Sequence, residues 1–124
     1  TAHWEFAWGP DHVHKLSAQL AHPLLAANCY SEADGSRPFP PSLEITVAGI
    51  TIGIIGIAAT IIDKTMPAHF SKGVRFTDGV QEAREQCAQL RENGAELIVL
   101  LSHLGLPQDI ELAKQVPGIN VILT

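Results

Sequence analysis

The stretch Glu96-Leu97-Ile98-Val99-Leu100-Leu101-Ser102-His103-Leu104-Gly105 decides how this chain folds. The run Leu97–Leu101 shows no polar alternation. It therefore reads as a strand buried on both faces, as in a parallel sheet packed between helices. The run stops abruptly at Ser102-His103, and Gly105 follows at a turn position. A histidine at the carboxyl end of such a strand stands where open α/β sheets place their ligand-binding groups.

Working outward, Thr77 or Asp78 caps a predicted helix that runs to Asn93-Gly94, with Val80, Ala83, Cys87 and Leu90 on one face. After the apolar run, the spacing predicts a short helix over Gln108–Gln115, closed by Pro117-Gly118, and a buried strand over Ile119–Leu123. Helix, strand, helix, strand is a βαβ arrangement. Upstream, Leu43, Ile45 and Val47 alternate with Glu44 and Thr46, so this strand has one wet face. Ala48-Gly49 supplies a turn, and Ile50–Ala58 reads as a central strand completing a hairpin. Gly53 and Gly56 lie inside that strand, where they permit close packing. No Gly-rich turn opens a helix after it, which excludes a dinucleotide-binding loop.

Residues 1–9 have no helical period and read as a loop. Pro10-Asp11 opens a helix carrying Val13, Leu16 and Leu20, which His22-Pro23 stops. Leu24–Cys29 reads as a short buried strand and residues 31–41 as a surface loop. Residues 60–78 form a long irregular loop, of a length that is usually functional, with Met66–Phe70 as its candidate approach to a substrate.

At 124 residues, 46% apolar and 17% charged, the chain is one domain or a piece of one, with enough apolar residues for a core. Its net charge of -5 and scattered Lys and Arg argue against a nucleic-acid polymer as partner. Cys29 and Cys87 have no metal or disulfide spacing, and Cys87 reads as a small buried hydrophobe. The apolar run Ile50–Ile62 is too short to span a membrane. No signal peptide is visible, and the start at Thr1-Ala2-His3 without Met fits a truncated piece, so the compartment is left open.

Two histidines stand out. His103 can act as a rigidly held metal ligand, and His3 lies beside Glu5, a carboxylate able to orient a ligand. For both, a structural role is the competing reading. Trp4 and Trp8 read as core or pocket walls. His12, His14 and His22 read as surface residues, and His69 as a residue of the long loop that can line a pocket. No Ser-His dyad exists, because Ser102 and His103 are strand neighbours facing opposite ways, and there is no G-x-S-x-G elbow.

Taken in order, these pieces resemble the calcineurin-like metallophosphoesterases, in their 5′-nucleotidase and cyclic-nucleotide phosphodiesterase branch. Ala2–Gly9 is similar to that family's Gly-Asn-His-Glu-Phe-Asp-x-Gly motif, and Leu25–Asn28 to its hydrophobic-Ala-Asn strand. Val47–Gly56 is similar to its hairpin, Leu100–Gly105 to its metal-binding Ser-His, and Val116–Leu123 to the strand before its Gly-His-x-His motif. The resemblance implies part of a four-layer α/β/β/α sandwich with a mixed sheet and βαβ units. It implies a hydrolase with two divalent metal ions, of Mn, Zn or Fe type, acting on a small phosphate ester.

By the same resemblance, His103 is a metal ligand, and His3 replaces the Asn that binds metal in most members. Trp4 replaces the His that assists the leaving group, and indole cannot exchange a proton usefully at neutral pH. Glu5 and Asn28 are implied as residues that orient a ligand or approach substrate. His3-Trp4-Glu5-Phe6 also resembles the thiosulfohydrolase of bacterial sulfur oxidation, which makes a sulfur ester an alternative substrate. The family's Asp-x-His motif is expected before Thr1 and its Gly-His-x-His after Thr124. The 124 residues, as the central part of a catalytic domain truncated at both ends, are accordingly expected to be inactive alone and to bind metal weakly. Family members are often extracytoplasmic. The rival readings are a non-catalytic α/β module whose site has decayed and, last, a flavodoxin-like nucleotide-binding domain, which the missing phosphate loop disfavours.

Overall fold

The computed structural model describes residues 1–124. A 3₁₀ turn, Trp4–Trp8, is followed by α1 (Pro10–Ser17), β1 (Cys29–Ser31), β2 (Ser42–Val47) and β3 (Ile50–Ile57). Then come a second 3₁₀ turn (Ala68–Phe70), β4 (Val74–Phe76), α2 (Val80–Glu92), β5 (Leu97–Ser102), α3 (Leu106–Gln115) and β6 (Val121–Leu123). The main sheet has the order β2-β3-β5-β6, antiparallel in its first pair and parallel in the other two. β1 and β4 form a separate antiparallel pair. The mixed sheet and the β3-α2-β5-α3-β6 succession match the α/β class read from the sequence.

Local chemistry accounts for the boundaries. Ala48 and Gly49 both have positive φ, 52° and 84°, the geometry of the two-residue hairpin turn whose twist suits the flanking strands. Asp78 accepts the Val80 N–H ahead of α2, and Gly94 (φ 98°) ends that helix. The Arg91 guanidinium donates to the carbonyls of Ala95, Glu96 and Gly118 and to Asn120 Oδ1, which also accepts the Ile98 N–H. This ties the start of β5 to the approach to β6.

Two cores result. One packs Ile55, Ile57, Ile98 and Leu100 from the sheet under Ala83, Cys87 and Leu90 of α2 and Leu112 of α3. The other is aromatic: Phe6, Phe39, Phe70 and Phe76 gather with Val13, Ile62 and Val74 beyond the carboxyl end of β3. Each fully buried Ile, Leu or Phe contributes about 1.5–3 kcal/mol. Cys29 and Cys87 lie in different cores and are free thiols. No helix is long and apolar enough to cross a membrane.

Several expectations are corrected. β5 is covered on one face only: Ile98 and Leu100 are fully buried, whereas Leu101 is 41% exposed. With the registers Leu43↔Ile54↔Val99↔Val121 and Ile45↔Ile52↔Leu97, that open face is apolar across all four strands. The same holds for β2, whose apolar face is also wet. Within residues 1–9, Trp4–Trp8 are a 3₁₀ turn rather than loop, because Phe6 N–H bonds His3 O and Gly9 N–H bonds Phe6 O as Phe6 enters the aromatic core. α1 stops at Ser17, whose hydroxyl turns back to the His14 carbonyl and competes with the helix, so Leu20 is left outside.

Leu24–Asn28 is buried but is not a strand. Ala27 N–H bonds Gly56 O, and the Asn28 side chain replaces the next backbone bonds. Leu25 crosses so close over Gly56 that a Cβ there would lie 2.3 Å from the Leu25 Cβ, the close packing expected of that glycine. Residues 60–78 are partly regular, since Phe70, Val74 and Phe76 anchor them in the aromatic core and Asp63 accepts the Phe76 N–H.

Candidate metal centre at the strand ends

His103 leaves the end of β5 with its backbone N–H bonded to the Ile57 carbonyl, which extends the ladder beyond the strand. His3 begins the 3₁₀ turn on the aromatic side of the molecule. Although 100 residues apart, the two rings meet: His103 Nε2 lies 2.9 Å from His3 Nδ1, with ring centroids 5.0 Å apart. In this arrangement one nitrogen carries the proton and the other offers its lone pair.

The rings open onto a cavity of about 220 Å³ lined by Ala59, Thr60, Ile61, Leu104, Gly105 and Thr124. These residues follow β3, β5 and β6, so the cavity sits at the carboxyl ends of the parallel strands, as the sheet rule requires. Larger hollows of about 440 and 510 Å³ lie against α3 and α1, away from both rings. Each holds two side chains of metal-ligating type, Asp78 with Glu111 in the first and Glu5 with His12 in the second, and neither is lined by His3 or His103.

Glu5 does not touch either ring. Its carboxylate accepts the Ala2 N–H at 3.0 Å and thereby closes the turn on which His3 stands. Asn28 is fully enclosed. Both its amide protons go to the carbonyls of Ala58 and Thr77, and its oxygen accepts the Ala58 N–H. It acts on the cavity only by fixing Ala58, next to the lining residue Ala59. Met66–Phe70 also stay away: Met66 and Phe70 pack in the aromatic core, and His69 Nε2 pairs with the Ala7 carbonyl at 3.0 Å. His12, His14 and His22 are exposed, as read.

Trp4, at 66% exposed, leans its ring toward His3 with centroids 5.3 Å apart and meets Phe70 edge-on. It stands beside His3 on the surface and is not among the residues lining the cavity, so it is neither core nor a wall of that cavity. The sequence did not single out Thr60 or Thr124 in the lining, nor the buried pair Ser102 and Asp109 behind His103. A serine ahead of a turn and an acid in the first turn of the next helix were the available signals.

Imidazole nitrogen suits Zn, Mn and Fe. Two ligand nitrogens on neighbouring vertices around a metal at about 2.1 Å lie about 3.0–3.4 Å apart. The observed 2.9 Å is a hydrogen-bond distance just below that range, so both nitrogens can face a metal only once the shared proton has left and the rings have parted slightly. No group of three or more His, Cys, Asp or Glu gathers anywhere in the chain, so His3 and His103 stand as a pair with no third side chain of these types beside them.

No protein-family model matches the chain. An NAD 5′-nucleotidase of Haemophilus influenzae is 33% identical over 123 residues, covering 97% of this chain and 20% of that protein. Among solved structures, the sulfate thiohydrolase SoxB of Thermus thermophilus superposes with a TM-score of 0.90 at 28% identity, over 97% of this chain and 22% of the other. The calcineurin-like phosphoesterase YfkN of Bacillus subtilis shares the fold, with a TM-score of 0.84 at 22% identity over 98% of this chain and 42% of the other. The chain spans about a fifth of the length of the curated relatives it matches. Its sequence is similar to a part of the 5′-nucleotidases, and it shares the fold of the calcineurin-like metallophosphoesterases.

Proposed function

We propose that this chain is the central part of the catalytic domain of a metal-dependent phosphoester hydrolase of the 5′-nucleotidase type. In this reading His3 and His103 each donate a ring nitrogen to a dinuclear site. The observation that carries the reading is their convergence to 2.9 Å at the carboxyl ends of parallel strands, across 100 residues of sequence. The open apolar sheet face supports the domain assignment, because such a face needs a further layer over it.

Divalent cations there would neutralise charge on the ester oxygens and make a water molecule a better nucleophile. The chain's own residues would do the rest. His103 holds its nitrogen on a strand end that cannot move without breaking its bond to Ile57. Glu5 keeps His3 in place through the Ala2 N–H. Thr60, Leu104 and Gly105 wall the cavity, and the Trp4 ring packs beside His3.

Trp4 favours a second reading, in which the substrate is a sulfur ester. An indole N–H gives no proton to a departing alkoxide at neutral pH. A leaving group that departs as a stable anion needs none. The likeness to the sulfate thiohydrolase supports this alternative.

The test is metal content together with hydrolysis of a panel: a nucleoside 5′-monophosphate, a 2′,3′-cyclic nucleotide and a thiosulfate ester. It is run on the full-length protein and on its His3→Ala and His103→Ala variants. Loss of metal and of turnover in both variants supports the proposal, and the preferred ester chooses between the two substrates. Metal content unchanged in His103→Ala leaves a non-catalytic module.

A further inference from the structure

Behind His103 lies a carboxylate that the mechanism above does not use. Asp109, in the first turn of α3, is 3% exposed. Its Oδ1 accepts a short hydrogen bond from the Ser102 hydroxyl, and its Oδ2 has no partner at all. An enclosed oxygen without a donor costs about 1–3 kcal/mol, so its presence calls for a compensating role.

The surrounding bonds supply one. Ser102 Oγ donates to Asp109 and accepts the Leu104 N–H at 3.2 Å. The Asp109 N–H in turn bonds the Gly105 carbonyl at 3.0 Å. The residues on either side of His103 are therefore tied to one side chain, while the His103 N–H is tied to Ile57. A carboxylate can only accept, so it forces the Ser102 proton toward itself and leaves the serine lone pairs to Leu104. A neutral amide at this place could donate to Ser102 and compete with Leu104 for them.

We infer that Ser102 and Asp109 are positioning residues for His103: they lock the β5–α3 turn in the one shape that aims His103 Nε2 at His3. This rests on the reading of the two histidines as metal ligands. Groups bonded directly to a metal-bound histidine ring change metal affinity about 10–100-fold when removed. Ser102 and Asp109 act one step away, through the backbone of the turn, so the lower end of that range is expected.

The experiment compares Ser102→Ala, Ser102→Thr, Asp109→Asn and Asp109→Leu in the full-length protein. Mn²⁺ affinity is measured by calorimetric titration. The ring-nitrogen chemical shifts of His3 and His103 are measured in metal-free protein. Ser102→Ala and Asp109→Leu are expected to weaken Mn²⁺ binding about tenfold or more and to move the His103 ring signals, with Asp109→Asn between them and the unsubstituted protein. Ser102→Thr, which keeps the hydroxyl, is expected to restore both. The Ser102→Ala/Asp109→Leu double variant is expected to lose no more than either single one, because the pair acts as a unit.

Variants that unfold earlier yet keep the Mn²⁺ affinity and the ring signals of the unsubstituted protein would overturn the inference. If the unsubstituted protein binds no Mn²⁺, the metal reading fails by itself. The ring signals then decide the positioning: movement in Ser102→Ala supports it, and constancy overturns it.

Discussion

The two faces of the main sheet carry the same kind of side chain and meet different surroundings. On one, Ile55, Ile98 and Leu100 lie under α2 and α3 with no exposure at all. On the other, Ile45, Val47, Leu101 and Leu123 are 40–55% exposed, and the segment that includes Leu25, crossing at Gly56, borders the end of that face. Composition therefore reports what a face is suited to, and coverage depends on which elements the chain itself brings. An uninterrupted apolar strand such as Leu97–Leu101 asks for two layers, and these residues provide one.

The strongest way to break this contrast is at the crossing point. Gly56→Ala would set its Cβ 2.3 Å from the Leu25 Cβ and 2.8 Å from the Leu25 carbonyl, so the segment that bridges to the aromatic core must lift. A loss of about 3 kcal/mol or more is expected in denaturant unfolding. A midpoint unchanged from the parent would mean that the crossing is loose.

Next comes the covered face, where Leu100→Ala should cost about 2–5 kcal/mol through lost burial and a cavity. Asn28→Ala follows at about 2–3 kcal/mol, because it orphans the Ala58 N–H and two buried carbonyls at once. Thermal melts read both, and a near-neutral Asn28→Ala would show that water replaces the amide.

A pH effect is gradual, spread over several pH units rather than set at one substitution. Burial, aided by Asp63, pushes the Cys29 thiol up to about 12, and burial also raises Cys87. Tyr30 is raised by burial and by its bond to Glu82. The folded chain keeps protons that the unfolded chain gives up, so stability is full below pH 9 and falls between pH 9 and 12. The slope from Cys29 is at most about 1.4 kcal/mol per pH unit. A flat stability curve over that range contradicts this.

The smallest effect belongs to the open face: Leu101→Ala should cost under about 1 kcal/mol when measured on residues 1–124 alone. In the longer protein proposed above it should rise to about 2 kcal/mol or more as a second layer covers the face. Equal small costs in both would leave the face bare and break the domain assignment.

Much of the fold was legible from local patterns. Ala48-Gly49 between alternating strands, the Val80-Ala83-Cys87-Leu90 stripe and the Ser102-His103 strand end each follow from short-range geometry, and each is present. Boundaries within a few residues of Ser17, Leu24 and Val74 were not legible, because there long-range contacts overrule local preference. Phe6 winds residues 4–8 to reach the aromatic core, and Asn28 serves as a strand edge through its side chain. His3 and His103 were each visible as candidates. Glu5 and Asp109 were not legible in their roles, since a carboxylate that holds a turn has no spacing of its own.

The sequence by itself determined the class of fold, the parallel pairing and the end of the sheet at which His103 stands. Periodicity and turn chemistry are written residue by residue, and they need no knowledge of distant partners. Only the tertiary structure decided that His3 and His103 meet, that Asn28 is buried rather than presented, and that one apolar sheet face stays open. Each of these depends on contacts between residues far apart in sequence, and a contact of that kind exists only after the chain has closed on itself.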